Sequence, residues 1–326
     1  MGIPATRSGE LSDRPVGTVL VMAWVVLGAA SALVALAPSA VAAFLEEVLP
    51  VLSRHVRPEK AVYSPIAYWC LLTVAWGAHR WRPASPGAFV TAAFRQDLLW
   101  YLLTMASRLL FLSAFVAVLG AFYRQHLGFL EVRAVAAWHP AAQFLAGVMV
   151  ADFARWLSHL VRHKVPLFWR FHALHHSQRD LNLFTDARVH PVDRMVSATI
   201  TTLVLLSLGN ATPVVMAWLV FETVYPKLYH ANLRANFGRL RFLLVTPQSH
   251  RVHHSVEPQH HDRNFGFIFS IWDWLFGTQY PGSDDYPLTG IPDENFPLES
   301  SGTAGDLLRT TLQQLWYPIA GGPGKR

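Results

Sequence analysis

Histidine is the residue in this chain whose spacing most plainly suggests chemistry. Twelve of the 16 histidines fall between His159 and His261. His159 and His163 are spaced HxxxH, which on a helix places both rings on one face. His172, His175 and His176 are spaced HxxHH, and His250, His253 and His254 repeat that spacing. Two isolated histidines lie between the groups: His190 in Arg188-Val189-His190-Pro191, and His230 before Ala231-Asn232. Imidazole is the commonest metal ligand and suits zinc, copper, iron and nickel. A single zinc takes about four ligands, and this many converging histidines exceed that number. Two metal ions are therefore expected.

Carboxylates are sparse around the histidines, so they are expected to hydrogen-bond ligand rings and fix their tautomers rather than to bind metal. Asp152 lies two helical turns before His159 on the same face and is the leading candidate for that role; Asp180, Asp186, Asp193, Glu222 and Glu257 are the others. His260 and His261 read equally as a surface pair or as additions to the site. His55, His79, His126 and His139, near the ends of apolar runs, read as interfacial side chains.

The elements that must position these residues are written in the hydropathy. Hydrophobic residues make up 52% of the 326 residues and charged residues only 15%, against roughly 25% charged in an average soluble domain. Mean hydropathy is +0.26, and 12 tryptophans suit anchoring at a membrane interface. The net charge of +6 is spread between apolar segments rather than gathered into a stripe, which argues against a nucleic-acid partner. The lone Cys70 permits neither an internal disulfide nor a thiolate metal site.

Residues 1–15 form a polar tail, and transmembrane helices are expected over 16–140. Thr18–Ala37 is uncharged for 20 residues, enough to span roughly 30 Å of hydrocarbon, and reads as a retained anchor rather than a cleaved signal. Ala61–Ala78, Leu98–Phe122 and Ala136–Leu157 are the next apolar runs. Arg108, inside the third, is expected to face protein or headgroups rather than to catalyse. Met195–Leu208 and Pro213–Val224 read as an apolar hairpin turning at Gly209-Asn210. Dense Arg and Lys over Arg155–Arg194 and Lys227–Arg263 place the histidines on the cytosolic face. The expected fold is all-α: a multi-span helical membrane protein with a cytosolic, histidine-rich helical cap. Its catalytic region covers 141–280, and a loosely packed surface tail covers 281–326.

Longer motifs carry a resemblance. DFARWLSHLVRH (Asp152–His163), FWRFHALHHS (Phe168–Ser177), RVHP (Arg188–Pro191), HAN (His230–Asn232), TPQSHRVHHS (Thr246–Ser255), NFG (Asn264–Gly266) and WDWLFGT (Trp272–Thr278) together resemble the fatty acid hydroxylase/sterol desaturase superfamily of membrane-bound oxygenases. The resemblance spans roughly residues 140–280. It implies a dinuclear centre, usually iron, held by His159, His163, His172, His175, His176, His250, His253 and His254, with His230 and His190 added. It further implies that the centre activates O2 to abstract hydrogen from an unactivated C–H bond of a lipid entering from the bilayer, giving an alcohol or, after a second abstraction, an alkene. Trp272–Thr278 would close the fold near the site without doing chemistry. The third histidine group and WDWLFGT are similar to those of alkylglycerol monooxygenases, which cleave ether lipids with a pterin reductant, whereas RVHP is similar to sterol desaturases and sphingolipid hydroxylases. Electrons are expected from a separate partner or a diffusible reductant.

Other metal chemistries fit less well. A zinc hydrolase would want a carboxylate arranged as in HExxH, and no such motif occurs. Bis-histidine heme would place single histidines on facing helices, not HH pairs. A metal transporter or store would want polar residues within several spans, and only Arg108 answers to that.

Overall fold

The computed structural model describes residues 58–208, 224–299 and 302–320. The run Thr18–Ala37 and most of the second hairpin arm lie outside the described residues. Two compact units divide at Thr91–Ala92. In the first, helix α1 (Pro58–Trp81) contains the run Ala61–Ala78. His79 follows that run and hydrogen-bonds the Gly87 carbonyl through Nε2 at 3.1 Å.

The second unit carries the histidines. It begins with α2 (Ala92–Ser107), continues through a π-helical turn (Arg108–Leu112) into α3 (Ser113–Phe122), and reaches α4 (Pro140–Lys164) after short irregular turns. Then follow α5 (Pro166–His176), α6 (Pro191–Leu206), a helical segment at 224–230, α7 (Pro247–His253), α8 (Ile271–Leu275) and α9 (Ala304–Ala320). No strand forms among the described residues; the sheet-like pairings are the isolated bridges Leu244–Phe269 and Ser255–Thr289. Among these residues, α4 is the one helix long and apolar enough to cross a membrane.

The break between α4 and α5 follows from one residue. A residue preceding proline is pushed out of the α region, and Val165 adopts φ −93° and ψ 113°. Pro166 then opens α5 at its first position, where its missing N–H costs nothing. The chain turns sharply, and the C-terminal ends of α4 and α5, with five histidines between them, come together. α7 opens on a reciprocal cap: Thr246 Oγ1 accepts from Ser249 N at 3.0 Å, and Ser249 Oγ accepts from Thr246 N at 2.9 Å. This reciprocal capping box, with Pro247 at the first position, fixes the helix start.

One core cluster joins Trp100 of α2, Trp169, Ala173 and Leu174 of α5, and Ile291 and Phe296. The expected loose tail from 281 is therefore corrected. Its apolar residues Ile291 and Phe296 are core, and its backbone ties to the third histidine group through Gly290 N to His254 O at 3.1 Å. Glu299 pairs with the buried Arg188 at 2.6 Å, and Trp100 Nε1 donates to Gln314 of α9 at 2.9 Å. Arg188 also binds Asp97 of α2 at 3.0 Å. Asp97 in turn accepts from Gln178, Asn182 and Thr185, each at 2.8 Å. Arg188 and Asp97 are both fully buried, and this network clamps the loop after α5 against α2.

Candidate metal centre

The histidines converge into two groups. His159 and His163 of α4, His172 and His176 of α5, and His253 of α7 form one; His175 of α5, His230 of segment 224–230, and His250 and His254 at the end of α7 form the other. Within each group the candidate ligand nitrogens lie within 4.8 Å of one another, and all nine side chains are buried. The repeated HxxHH spacing explains the division. Residues i and i+4 lie about 40° apart around a helix, whereas adjacent residues lie about 100° apart. In α5 the i, i+4 pair goes to the first group and His175 to the second. At α7 the pair His250 and His254 goes to the second group and His253 to the first.

Ring orientation shows which nitrogens face inward. His159 Nδ1 donates to the Phe265 carbonyl at 3.0 Å, His253 Nδ1 to the Arg263 carbonyl at 2.7 Å, and His230 Nδ1 to the Pro226 carbonyl at 2.7 Å. His172 Nδ1 lies 3.2 Å from Asp193 Oδ2. A neutral imidazole whose Nδ1 carries the proton presents a bare lone pair at Nε2. His159 Nε2 is buried with no hydrogen-bond partner. In the second group the Nε2 atoms crowd one another: His230–His250 at 2.8 Å, His250–His254 at 3.1 Å and His175–His230 at 3.3 Å. In the first, His163 and His176 approach to 3.1 Å through Nε2. One lone pair on His230 cannot accept from two neighbours equally. A cation bonded to each nitrogen at about 2.0–2.1 Å leaves neighbouring ligand atoms about 3 Å apart and satisfies them all. The donor set therefore fits two metal ions.

Electrostatics points the same way. Burial first, and then the neighbouring histidines, push His175, His176, His250 and His254 well below the ordinary imidazole value. Burial also lowers His230 to about 4. These rings are neutral at physiological pH, the state that ligates. Burial alone would raise Asp193, but Arg162, 3.0 Å away, and His172 hold its carboxylate at about 2.

The carboxylate expected to orient a ligand ring is a different one. Asp152 accepts from Ile268 N at 2.9 Å, Phe269 N at 3.2 Å and Trp272 Nε1 at 2.9 Å, and these bonds hold no histidine. It acts one step removed, fixing the segment that follows Phe265. Asp193, among the other carboxylates named from the sequence, is the one that hydrogen-bonds a ligand ring, and Asp262, which the sequence did not single out, lies 3.7 Å from His163 Nδ1. The NFG and WDWLFGT motifs form the support beneath His159. Asp273 accepts from Phe265 N at 2.8 Å, Gly266 N at 2.7 Å and Trp156 Nε1 at 3.0 Å, aiming the Phe265 carbonyl at the ring. A Cβ at Gly266 would lie 2.7 Å from Val245 Cγ2 and 2.9 Å from both Asp273 Oδ2 and the Phe269 carbonyl, so only glycine fits. Asn264 sits at φ 58°, tolerable for asparagine, and its Nδ2 donates to the Ser249 carbonyl at 2.8 Å.

His190 belongs to neither group. Its Nδ1 accepts from Val192 N at 3.1 Å, capping α6. His260 is buried beside Ser255 Oγ at 2.9 Å and, with His261, also lies outside both groups.

Residues 144–278 match the fatty acid hydroxylase family model. The chain is 34% identical over 164 residues to an ornithine lipid hydroxylase of Rhizobium tropici, a match covering 49% of each protein. It is 32% identical over 180 residues to an alkylglycerol monooxygenase of Danio rerio, covering 55% of this chain and 38% of the relative. It is also 30% identical over 131 residues to a beta-carotene hydroxylase of a Paracoccus strain, covering 36% of this chain and 72% of that protein. The matched segment thus spans about half or less of the first two relatives' length. No solved structure gives a significant match. Every histidine of the two groups falls within the matched span, and the chain belongs to the fatty acid hydroxylase family.

Proposed function

We propose that this chain is an O2-dependent oxidoreductase that hydroxylates, desaturates or otherwise oxygenates a lipid at a centre of two metal ions. His159, His163, His172, His176 and His253 would hold one ion, and His175, His230, His250 and His254 the other. The observation that carries this reading is the buried convergence of nine imidazoles in two groups. The names of the relatives support a lipid or isoprenoid substrate. The ions are iron on the strength of the family resemblance, since imidazole by itself does not select iron over zinc.

When bound, such a pair of ions supplies the activation of O2 for attack on an unactivated C–H bond. The protein's own contribution is orientation and enclosure. The carbonyls of Phe265, Arg263 and Pro226, and the Asp193 carboxylate, lock four rings with Nε2 inward. Outer partners of this kind raise ligand basicity and fix the tautomer. Trp169 packs against His163 at 5.1 Å, Phe265 against His163 at 5.0 Å, and Tyr229 against His250 at 4.3 Å between ring centroids. These rings exclude water, which limits side reactions of oxidising species. The proposed setting is a multi-pass membrane protein with 16–140 embedded, the catalytic region at 141–280, and the histidines on the cytosolic face. The lipid would enter from the bilayer along the apolar helices, and a separate protein or diffusible reductant would supply electrons.

The test is isotopic. Membranes bearing the metal-loaded protein, with reductant, are incubated under 18O2 and their lipids analysed by high-resolution mass spectrometry. The proposal predicts a lipid that gains 18O or loses two hydrogens, only with O2 and not in a His159→Ala variant. Unchanged lipids across host and supplied ether, sterol, sphingolipid and glycerolipid classes would overturn it.

A further inference from the structure

A second concentration of charge lies beside the histidines. Arg108 opens the π-helical turn after α2, Arg155 is on α4 and Arg194 is on α6. Arg155 lies within electrostatic range of Arg108 and Arg162, and Arg194 within range of Arg108 and Arg155. Lys227, buried on segment 224–230, has Arg108, Arg194 and Asp186 as neighbours. Among the described residues, five cations thus face three carboxylates, Asp152, Asp186 and Asp193. Each carboxylate is already engaged. Lys227 Nζ takes both oxygens of Asp186 at 2.8 and 3.0 Å, Arg162 takes Asp193 at 3.0 Å, and Asp152 binds the 268–272 segment. Among the described residues neither Arg108 nor Arg194 has a carboxylate at ion-pair distance. Both are only partly buried, so a ligand can reach them.

Two further observations indicate what that ligand is. Tyr229 is 3% exposed, and its hydroxyl makes no hydrogen bond among the described residues. Its ring packs on His230 at 4.9 Å and His250 at 4.3 Å, while Asp186, Asp152 and Arg155 are within its electrostatic range. It therefore links the cations to the second histidine group. In addition, the arginines adjoin outward apolar side chains. Phe111, 72% exposed, shares the turn with Arg108, and Met195, 42% exposed, follows Arg194. A π-helical turn inside an apolar helix often marks a functional position, and an arginine there calls for a partner.

We infer that Arg108, Arg155, Arg194 and Lys227, with the Tyr229 hydroxyl, bind an anionic oxo group, phosphate or carboxylate, on the headgroup of an amphiphile, next to the His175–His230–His250–His254 group. Guanidinium groups match such oxygens in paired hydrogen bonds. Metal ions held by neutral imidazoles would add to the positive field rather than quench it. The site rests on the lipid-oxidising reading above and narrows its substrate to lipids with an acidic headgroup near the reacting carbon.

The test is direct binding to the purified full chain in neutral detergent, with metal content measured on the same samples. Oleoyl lysophosphatidic acid and mono-oleoyl glycerol share one acyl chain, so their difference isolates the headgroup. The phosphate lipid is expected to bind at least about ten-fold more tightly, a difference of one 1.4 kcal/mol step, and the Arg108→Gln/Arg194→Gln variant is expected to bring the two within about two-fold. Equal binding of the two lipids by the wild-type chain overturns the inference, as does an undiminished preference in the variant. Inorganic phosphate is the third probe: competition only at far higher concentration supports a lipid headgroup, and competition at the lipid's own concentration overturns it. Two metals without headgroup preference defeats this inference alone; headgroup preference without metals defeats the oxidase reading alone.

Discussion

Replacing Asp193 by asparagine tests how the protein prepares a ligand. The carboxylate is buried, and one oxygen serves Arg162 at 3.0 Å and His172 Nδ1 at 3.2 Å. An asparagine whose carbonyl oxygen takes the place of that oxygen keeps both contacts, but the acceptor is neutral, so Arg162 loses its buried counter-charge and His172 Nδ1–H loses its charged outer partner. Hydrogen bonds to charged groups contribute about 1.5–3 kcal/mol each. Loss of an outer partner typically costs about 10–100-fold in metal affinity, or about 1.4–2.7 kcal/mol. The second group shares none of these contacts, so it should keep its ion. The assay is a chelator titration of Asp193→Asn followed by mass-spectrometric metal analysis. About one ion should leave at chelator concentrations that leave the wild type loaded. Loss of both ions together, or wild-type retention of both, would refute the reasoning.

Two predictions concern the frame around the site. Gly266→Ala places a methyl 2.7 Å from Val245 Cγ2 and 2.9 Å from Asp273 Oδ2; overpacking of this kind costs about 1–3 kcal/mol, read as a lower unfolding temperature, and should loosen the first metal ion more than the second. Arg188→Met strands the buried Asp97 carboxylate and removes the partner of Glu299; breaking a buried pair from one side costs about 3–5 kcal/mol, so thermal unfolding should shift far more than for Arg234→Met, whose pairing with Asp284 is exposed.

The histidines were legible because helical spacing alone puts members of each sequence cluster on shared faces. Their partition into two groups was not, since it depends on how α5 and α7 face each other. Asp152 was singled out by its distance along one helix from His159. The ring that needed a carboxylate was His172, and its partner comes from α6, across a tertiary contact that no local spacing encodes. Asp97, Arg188 and Glu299 sit far apart in sequence, so the clamp that draws in the C-terminal segment left no local signal. That segment's proline, glycine and acid content suggested a loose surface, while Ile291 and Phe296 carried it into the core. His190 had a signal that could have been read differently: a residue before a proline that opens a helix is a capping position. Arg108 stood out in the sequence as a charge in an apolar run, and the neighbours that give it meaning, Arg194 and Lys227, are brought to it only by the fold.

Metal stoichiometry of protein purified without oxygen, resolved by element with mass spectrometry, tests the two-ion centre most directly when His163→Ala and His250→Ala are measured beside the wild type. The account predicts about two ions per wild-type chain, mainly iron, with each variant losing chiefly the ion of its own group. A single ion in the wild type, or none, would contradict it.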